Sequence, residues 1–370
     1  MTIEIDAQRR VESLQAALLG ALDELERRDL APLWVGGAAL ALCRGLEPSP
    51  LSPLVLSIRS EAADVDGTID SITGLLRYDV KVVNRGPVGA GGPDGDRRCP
   101  ARVLALAVGP GGVVVDPGGV FDDFASGELV AADDWLTYLR GRAASILEIA
   151  GWAAETGLVP NADILRAMTR DCGHLLTVPR RIWRSRLDQI LTAPCASIGL
   201  QLLLDVRALP LLLHEVTAMV DFHKSCPVHH KDIWDHTLQV IDKCPPIATV
   251  RWAALMHDSG KVWTRTVGGR GKVHFFRHEE LGASLMTGVA ARFEMAPATR
   301  DPICYVIANH ARANVYSTEW TDTAVRRLIR DMGEHLDAVL AFSRSDFTTK
   351  RAWRIREVRE LGEEVLRRIE

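Results

Sequence analysis

The chain has 370 residues, with 44 Lys+Arg against 48 Asp+Glu, giving a formal net charge of −4 and a pI near 6.3. Its 47% hydrophobic and 25% charged content excludes extensive disorder. The slight acid excess excludes a protein that coats nucleic acid through bulk charge, but leaves room for a local basic groove or a nucleotide-sized substrate. A chain of this length is expected to form two or three domains.

In chain order, residues Ala7 to Arg28 read as an amphipathic helix, with Leu14, Leu18, Leu22 and Leu25 three or four apart. Leu33–Val35, Leu54–Ile58, Val80–Val83, Val103–Val108 and Val113–Val115 are short apolar or β-branched runs bounded by Gly, Pro and Asp, and read as strands of a small sheet. Gly86–Arg98 is rich in Gly and reads as a surface loop. From about Asp133 onward helical periodicity takes over, with Leu136, Leu139, Ala143 and Ile146 forming one stripe. The expected organisation is a head over 1–128, a helical neck over 129–218 and a further helical domain over 219–370.

The seven cysteines are scattered and never spaced C-x-x-C, which fits a reducing compartment better than a disulfide framework or a zinc ribbon. Met1–Arg10 lacks the apolar core of a signal peptide, and the longest uncharged runs, such as Leu191–Leu204, are too short to span a membrane. A soluble, cytoplasmic protein is expected.

The strongest chemical signal is a histidine cluster. Nine of the 11 histidines lie between His223 and His335. His236, with Ile233 and Val240 on the same helical face, points inward, where a lone histidine is usually a satisfied core residue. His257-Asp258 differs. Adjacent helical side chains diverge by about 100°, so both reach one ion only where a helix ends, and Gly260 supplies such an end. An imidazole and a carboxylate converging there suit a borderline divalent metal.

The run Asp232-Ile233-Trp234-Asp235-His236-Thr237-Leu238, then His257-Asp258-Ser259-Gly260-Lys261, then His274-Phe275-Phe276-Arg277-His278-Glu279-Glu280-Leu281-Gly282-Ala283 resembles the HD-domain metal-dependent phosphohydrolases. It is particularly similar to the HD domain carried behind the nucleotidyltransferase head of bacterial CCA-adding enzymes and poly(A) polymerases. The resemblance implies an α+β chain: a small mixed-sheet nucleotidyltransferase-like head, a helical neck and an all-α HD domain. It implies that His236, His257 and Asp258 hold the metal and that the last ligand is an Asp on a later helix. Asp346 is the preferred candidate, with Asp331 and Asp337 as competitors. His278 and His310 complete a second metal position in two-metal members, or else serve as supporting or phosphate-contacting groups. Lys261 is either a phosphate contact or a solvated turn lysine, and His274 and Arg277 are candidates for the substrate mouth. His229 and His230 read as surface or supporting residues. The expected cofactor is one or two divalent ions, Ni, Mn, Co or Fe, or Mg.

Such a site, with Asp258 and Lys261 in catalytic roles, implies hydrolysis of nucleotide or RNA-end phosphoesters, including 2′,3′-cyclic phosphates and 2′-nucleotides. This is the leading expectation. Its rivals are a tRNA CCA-adding nucleotidyltransferase and a non-enzymatic RNA-binding scaffold.

The resemblance extends into the head, where it shows losses. Leu33-Trp34-Val35-Gly36-Gly37-Ala38-Ala39-Leu40-Ala41-Leu42-Cys43-Arg44-Gly45 resembles the family's strand, glycine pair and helix, with Leu40 and Ala41 in place of its Arg and Asp. The paired-carboxylate place reads Ser52-Pro53-Leu54-Val55, and the third carboxylate falls on Cys99. Uncharged side chains do not hold hard divalent cations, so the head is expected to be degenerate. If the register differs, Asp64, Asp66 and Asp70 are the alternative carboxylates. Asp116-Pro117-Gly118-Gly119 matches a family turn, and Asp133–Arg140 resembles the stretch that reads the incoming base, with Thr137 replacing its Arg. Arg180, Arg181, Arg184 and Arg186 around Trp183 read as a solvated basic face, or as a neck contact to tRNA phosphates and a stacked base. Lys350–Arg368 reads as a solvated helix.

Overall fold

The computed structural model describes residues 2–27, 32–35, 37–45, 54–58, 80–84, 101, 103, 106–116, 119–131, 135–225, 232–269, 272–314 and 321–346. Ser52, Pro53, Asp64, Asp66, Asp70, the loop Gly86–Arg98, Cys99, Asp133, Asp134, His229, His230 and Lys350–Arg368 lie outside the described residues.

The chain is α+β and divides into two compact units, Met1–Thr177 with Arg186–Val206, and Val178–Ser185 with Arg207–Glu370. The helices between 129 and 218 are therefore distributed over both.

The first unit opens with the helix Thr2–Glu26. The expected stripe is its buried face: Leu18, Leu22 and Leu25 are sealed from solvent and Leu14 nearly so. The face docks on a five-stranded sheet, where the Trp34 indole N–H donates to the Leu18 carbonyl at 2.8 Å. Strands β1 (Leu33–Val35), β2 (Leu54–Ile58), β3 (Val80–Asn84), β4 (Ala107–Val108) and β5 (Val114–Val115) are ordered β3-β2-β1-β4-β5. β2 and β3 run parallel, and the remaining pairs are antiparallel. The sheet is thus mixed, and the helix Gly37–Arg44 follows β1 directly. Within the run Val103–Val108, expected to be one strand, Ala107 and Val108 are the residues paired in the sheet among the described residues. On β2, Leu54, Leu56 and Ile58 are buried, as a period of two requires.

The turn after β5 is built by Asp116, whose carboxylate accepts from the Val120 N–H at 2.8 Å and the Phe121 N–H at 3.2 Å. Gly119 sits at φ 75°, where an L side chain would be strained. The matched family turn is therefore a capping device in this fold.

The helices Trp135–Gly141, Ser145–Thr156 and Ala162–Asp171 follow, the last capped by Asn161, whose side-chain oxygen accepts from Asp163 N and Ile164 N. Glu148, 6% exposed, is fully engaged: it accepts from the Tyr138 hydroxyl, from Arg142 at 3.3 Å and from Arg186 at 2.8 Å.

Among its described residues the second unit is helical apart from a hairpin, β6 (Arg265–Val267) and β7 (Val273–Phe275), that an all-α expectation did not include. Its helices include Ile233–Lys243, Ala248–Met256, His278–Arg292, Pro297–Asn314, Asp322–Met332 and Leu336–Ser345. Asp232 caps the first of these by accepting from Asp235 N at 2.9 Å, and Thr321 caps Asp322–Met332. Trp183 is wholly buried in this unit, with the Arg180 guanidinium 3.7 Å over its ring and Phe293 at its edge. It cannot stack on a base. The stacked-base reading of the Arg180–Arg186 stretch is corrected accordingly.

Candidate metal centre

Four elements of the second unit bring the histidines together. His236 stands on the helix Ile233–Lys243, and His257 and Asp258 follow the helix Ala248–Met256. His278 opens the helix His278–Arg292, and His310 lies in Pro297–Asn314. Asp346 ends the helix Leu336–Ser345.

Gly260 explains how the pieces meet. Its φ is −64°, in the right-handed region, so freedom of φ is not what the position uses. A Cβ on Gly260 would lie 2.1 Å from the His278 carbonyl oxygen and 2.9 Å from Gly282 N. Glycine is required there for close approach, which seats the start of the His278 helix on the turn carrying His257 and Asp258.

The imidazoles share a tethering pattern. His257 Nδ1 lies 2.8 Å from the Ala254 carbonyl, His278 Nδ1 2.9 Å from that of Phe275, and His310 Nδ1 2.7 Å from that of Ile307. Each Nδ1–H donates to the carbonyl three residues earlier, which assigns the proton to Nδ1 and leaves Nε2 as the lone-pair atom. The Nε2 atoms of His257 and His236 stand 3.3 Å apart. Asp258 Oδ2 is 3.3 Å from His257 Nε2 and 3.8 Å from His236 Nε2. Asp346 Oδ1 is 3.1 Å from His236 Nε2 and 3.7 Å from His257 Nε2. Across Asp258, Oδ1 faces His278 Nε2 at 3.7 Å. Two donor groups result, His236/His257/Asp258 and Asp258/His278/His310, sharing Asp258.

This arrangement suits a cation. His257 and Asp258 are 1% exposed and His310 is 4% exposed. Asp258 Oδ1 is buried without a hydrogen-bond partner, a costly state for a carboxylate oxygen unless a positive charge faces it. Burial opposes charge on Asp258, but His257, Lys261 and His236 outweigh it and hold its carboxyl well below the usual range. Lys261 Nζ donates to Asp258 Oδ2 at 2.7 Å. Burial likewise opposes a charged His257, yet the carboxylates of Asp258 and Asp346 raise its pKa above the usual imidazole value. Burial pushes His310 down to about 4 and lowers His278, assisted respectively by the charges of His257 and Lys261. Both are therefore neutral, ligand-ready imidazoles near pH 7. Mixed imidazole and carboxylate donors fit a divalent ion of the borderline class.

Asp331 pairs with Arg327 and Arg330, away from the donor groups. His274 stacks on Phe276 and Arg277 pairs with Glu280. Neither has a hydrogen bond or ion pair to the His/Asp cluster among the described residues. Sequence reasoning missed Phe342, whose ring packs 5.2 Å from that of His257 and 5.7 Å from that of His310. It also missed the carbonyl tethers. The tethers were discoverable in principle, since each joins a histidine to the residue three before it.

Residues 233–341 match the HD domain family. Among curated proteins, the chain is 31% identical over 208 residues to the Multifunctional CCA protein of Pseudomonas paraeruginosa, covering 52% of this chain and 48% of the relative. It is 28% identical over 235 residues to the Multifunctional CCA protein of Cupriavidus necator, covering 59% of this chain and 53% of the relative. The chain thus spans about half the length of the curated relatives it matches. Among solved structures, the Bacillus stearothermophilus CCA-adding enzyme in complex with CTP superposes over 95% of this chain and 80% of that chain, with a TM-score of 0.54 at 15% identity. That likeness is one of fold. The resemblance to the HD-domain-bearing CCA-adding enzymes and poly(A) polymerases is borne out. The order of functions expected from it is not. Phosphoester hydrolysis is the leading expectation and nucleotide addition its rival; relatives called Multifunctional CCA protein, on a chain with the fold of a CCA-adding enzyme, reverse the two. No helix among the described residues is long and apolar enough to cross a membrane.

Proposed function

We propose that the protein is a tRNA nucleotidyltransferase of the CCA-adding kind, divided into a head over 1–128, a neck over 129–218 and an HD domain over 219–370. The observation that carries this reading is the identity to proteins named for CCA addition on a chain with the CCA-adding fold. The mixed sheet, with the helix Gly37–Arg44 leaving β1, supplies the kind of frame on which nucleotidyl transfer is built. Transfer to a tRNA 3′ end needs carboxylates that hold divalent ions against the nucleotide phosphates. Pro53, Val55 and Cys99 cannot do this, so the role falls to Asp64, Asp66 and Asp70, the nearest aspartates after β2 in the sequence.

In the HD domain, His236, His257, Asp258 and Asp346 would hold one divalent ion, and Asp258, His278 and His310 a second. Bound there, an ion supplies a Lewis-acid position able to take a phosphate oxygen. Lys261 keeps Asp258 ionised and in place, and can meet a phosphate as a point charge.

The test is incorporation of labelled CTP and ATP into tRNA lacking its 3′ CCA, with Mg²⁺ present. Incorporation that disappears in an Asp64→Asn/Asp66→Asn variant is expected. Its absence at stoichiometric enzyme overturns the reading. The uncharged motif places favour a second reading, a tRNA-binding scaffold, which predicts tRNA retention without incorporation.

A further inference from the structure

The hairpin next to the metal centre carries an unusual combination of charge and exposed rings. From Ser259 to His278 the sequence contains Lys261, Arg265, Arg270, Lys272 and Arg277 and no Asp or Glu, within a chain of net charge −4. The same stretch exposes large apolar side chains: Trp263 at 53% and Phe276 at 67%.

The strand register sorts these groups. Thr266 lies opposite His274, and Arg265 opposite Phe275. Alternation therefore sends Phe275 to one face of β7 and His274 to the other. On the first face, Lys261 Nζ sits 5.7 Å from the Phe275 ring, next to Asp258. On the second, the His274 and Phe276 rings stack at 5.1 Å with an interplanar angle of 9°. A parallel ring pair with its outer member two-thirds exposed presents a flat π surface to solvent. Lys272 is exposed on the same strand segment.

Several occupants fit exposed rings in general. Lys261 is paired with Asp258 and Arg277 with Glu280, so the charge offered to a polyanion is that of Arg265 and the exposed Lys272. A flat stacked platform selects one that carries planar groups free to stack, as the bases of a single strand are and those of a duplex are not. Acidic peptides and anionic lipid offer the charge without the rings.

We propose that the paired strands β6 and β7, with Trp263, Lys272 and Phe276, are a binding surface for single-stranded nucleic acid. A base stacks on Phe276 over His274, and Lys272 faces the backbone phosphates. This surface is separate from the nucleotide-transfer reading and does not depend on it.

The test is fluorescence anisotropy of the full chain with a labelled 12-nucleotide single-stranded RNA that has no tRNA body, so that failure of nucleotide addition leaves the measurement standing. Phe276→Ala is expected to weaken binding by about tenfold, because a stacked base is worth about 1–3 kcal/mol. Phe276→Trp is expected to retain the affinity, and Lys272→Glu to weaken it and flatten its salt dependence. Metal content and thermal midpoint report whether each variant is folded, and the exposed Lys272→Glu provides a second route should Phe276→Ala not fold. The proposal is overturned if RNA is not bound, or if Phe276→Ala and Trp263→Ala leave its affinity unchanged. It is equally overturned if the variants alter binding to poly-glutamate or phosphatidylserine vesicles rather than to RNA.

Discussion

Two buried carboxylates, one in each unit, show how the same chemical problem is resolved in opposite ways. Glu148 accepts from a hydroxyl and two guanidinium groups, so its charge is fully matched by side chains already in place. Asp258 is buried more deeply, receives Lys261 on one oxygen, and leaves the other without a donor while imidazole Nε2 atoms gather around it. A carboxylate with both oxygens matched is part of a scaffold. One that stays ionised with an unmatched oxygen beside the neutral imidazoles of His278 and His310 is a place for an ion. The head supplies a further contrast, since its sheet presents the buried Leu54, Leu56 and Ile58 and its motif places hold Pro53 and Val55.

The largest effect expected from breaking this contrast is on metal content. His257→Ala or Asp258→Ala is expected to weaken divalent-ion binding by about 100-fold or more, read by elemental analysis of the purified protein. Glu148→Ala should leave the metal content untouched, and a fall there would erase the distinction between the two carboxylates.

Next comes packing around the site. Gly260→Ala forces a Cβ to within 2.1 Å of the His278 carbonyl oxygen. The expected destabilisation is about 3 kcal/mol, at the upper end of overpacking costs because the obstacle is backbone. Chemical denaturation followed by Trp fluorescence measures it. An unchanged midpoint would mean that the two helix ends are not held in close contact.

Glu148→Ala should cost less, about 2 kcal/mol. Arg142 and Arg186 remain 46% and 35% exposed and recover hydration when their partner is removed. A loss as large as that of Gly260→Ala would show that Glu148 is not the satisfied member of the comparison.

The smallest effect is chemical. Burial pushes the Cys244 thiol up to about 11, despite the Ser345 hydroxyl beside it. At pH 8 its thiolate fraction is therefore low, and iodoacetamide should leave Cys244 unmodified in the native protein and label it on unfolding. Mass spectrometry of the alkylated peptide decides this. Rapid native labelling would mean that the helix Leu336–Ser345 opens away from Lys243.

Much was legible without coordinates. The 3–4 spacing of Leu14, Leu18, Leu22 and Leu25 announced the buried face of the first helix, because helical periodicity is a local property. The strands at Leu33, Leu54 and Val80 were legible for the same reason, whereas in Val103–Val108 the described Val103 lies outside the pairing of Ala107 and Val108, because an apolar run does not say how much of itself finds a partner. The spacing of His236 and His257-Asp258 announced a metal donor set. What that set serves was misjudged, since an HD motif looks much the same whatever head it follows.

Other features depended on through-space contact. Sequence marked Trp183 as an aromatic among arginines, and the fold spends it against Phe293 and Arg180. Sequence marked Gly260 as a helix stop, and the fold uses its missing side chain for close approach. By itself the sequence determined the clustering of His236 with His257-Asp258, the helical and strand periods, and the absence of carboxylates at the head's motif places. Only the tertiary structure decided that Asp346 rather than Asp331 stands at His236, and that Asp258 has an unmatched oxygen. Distances between residues 110 positions apart arise from packing, and no local pattern encodes them.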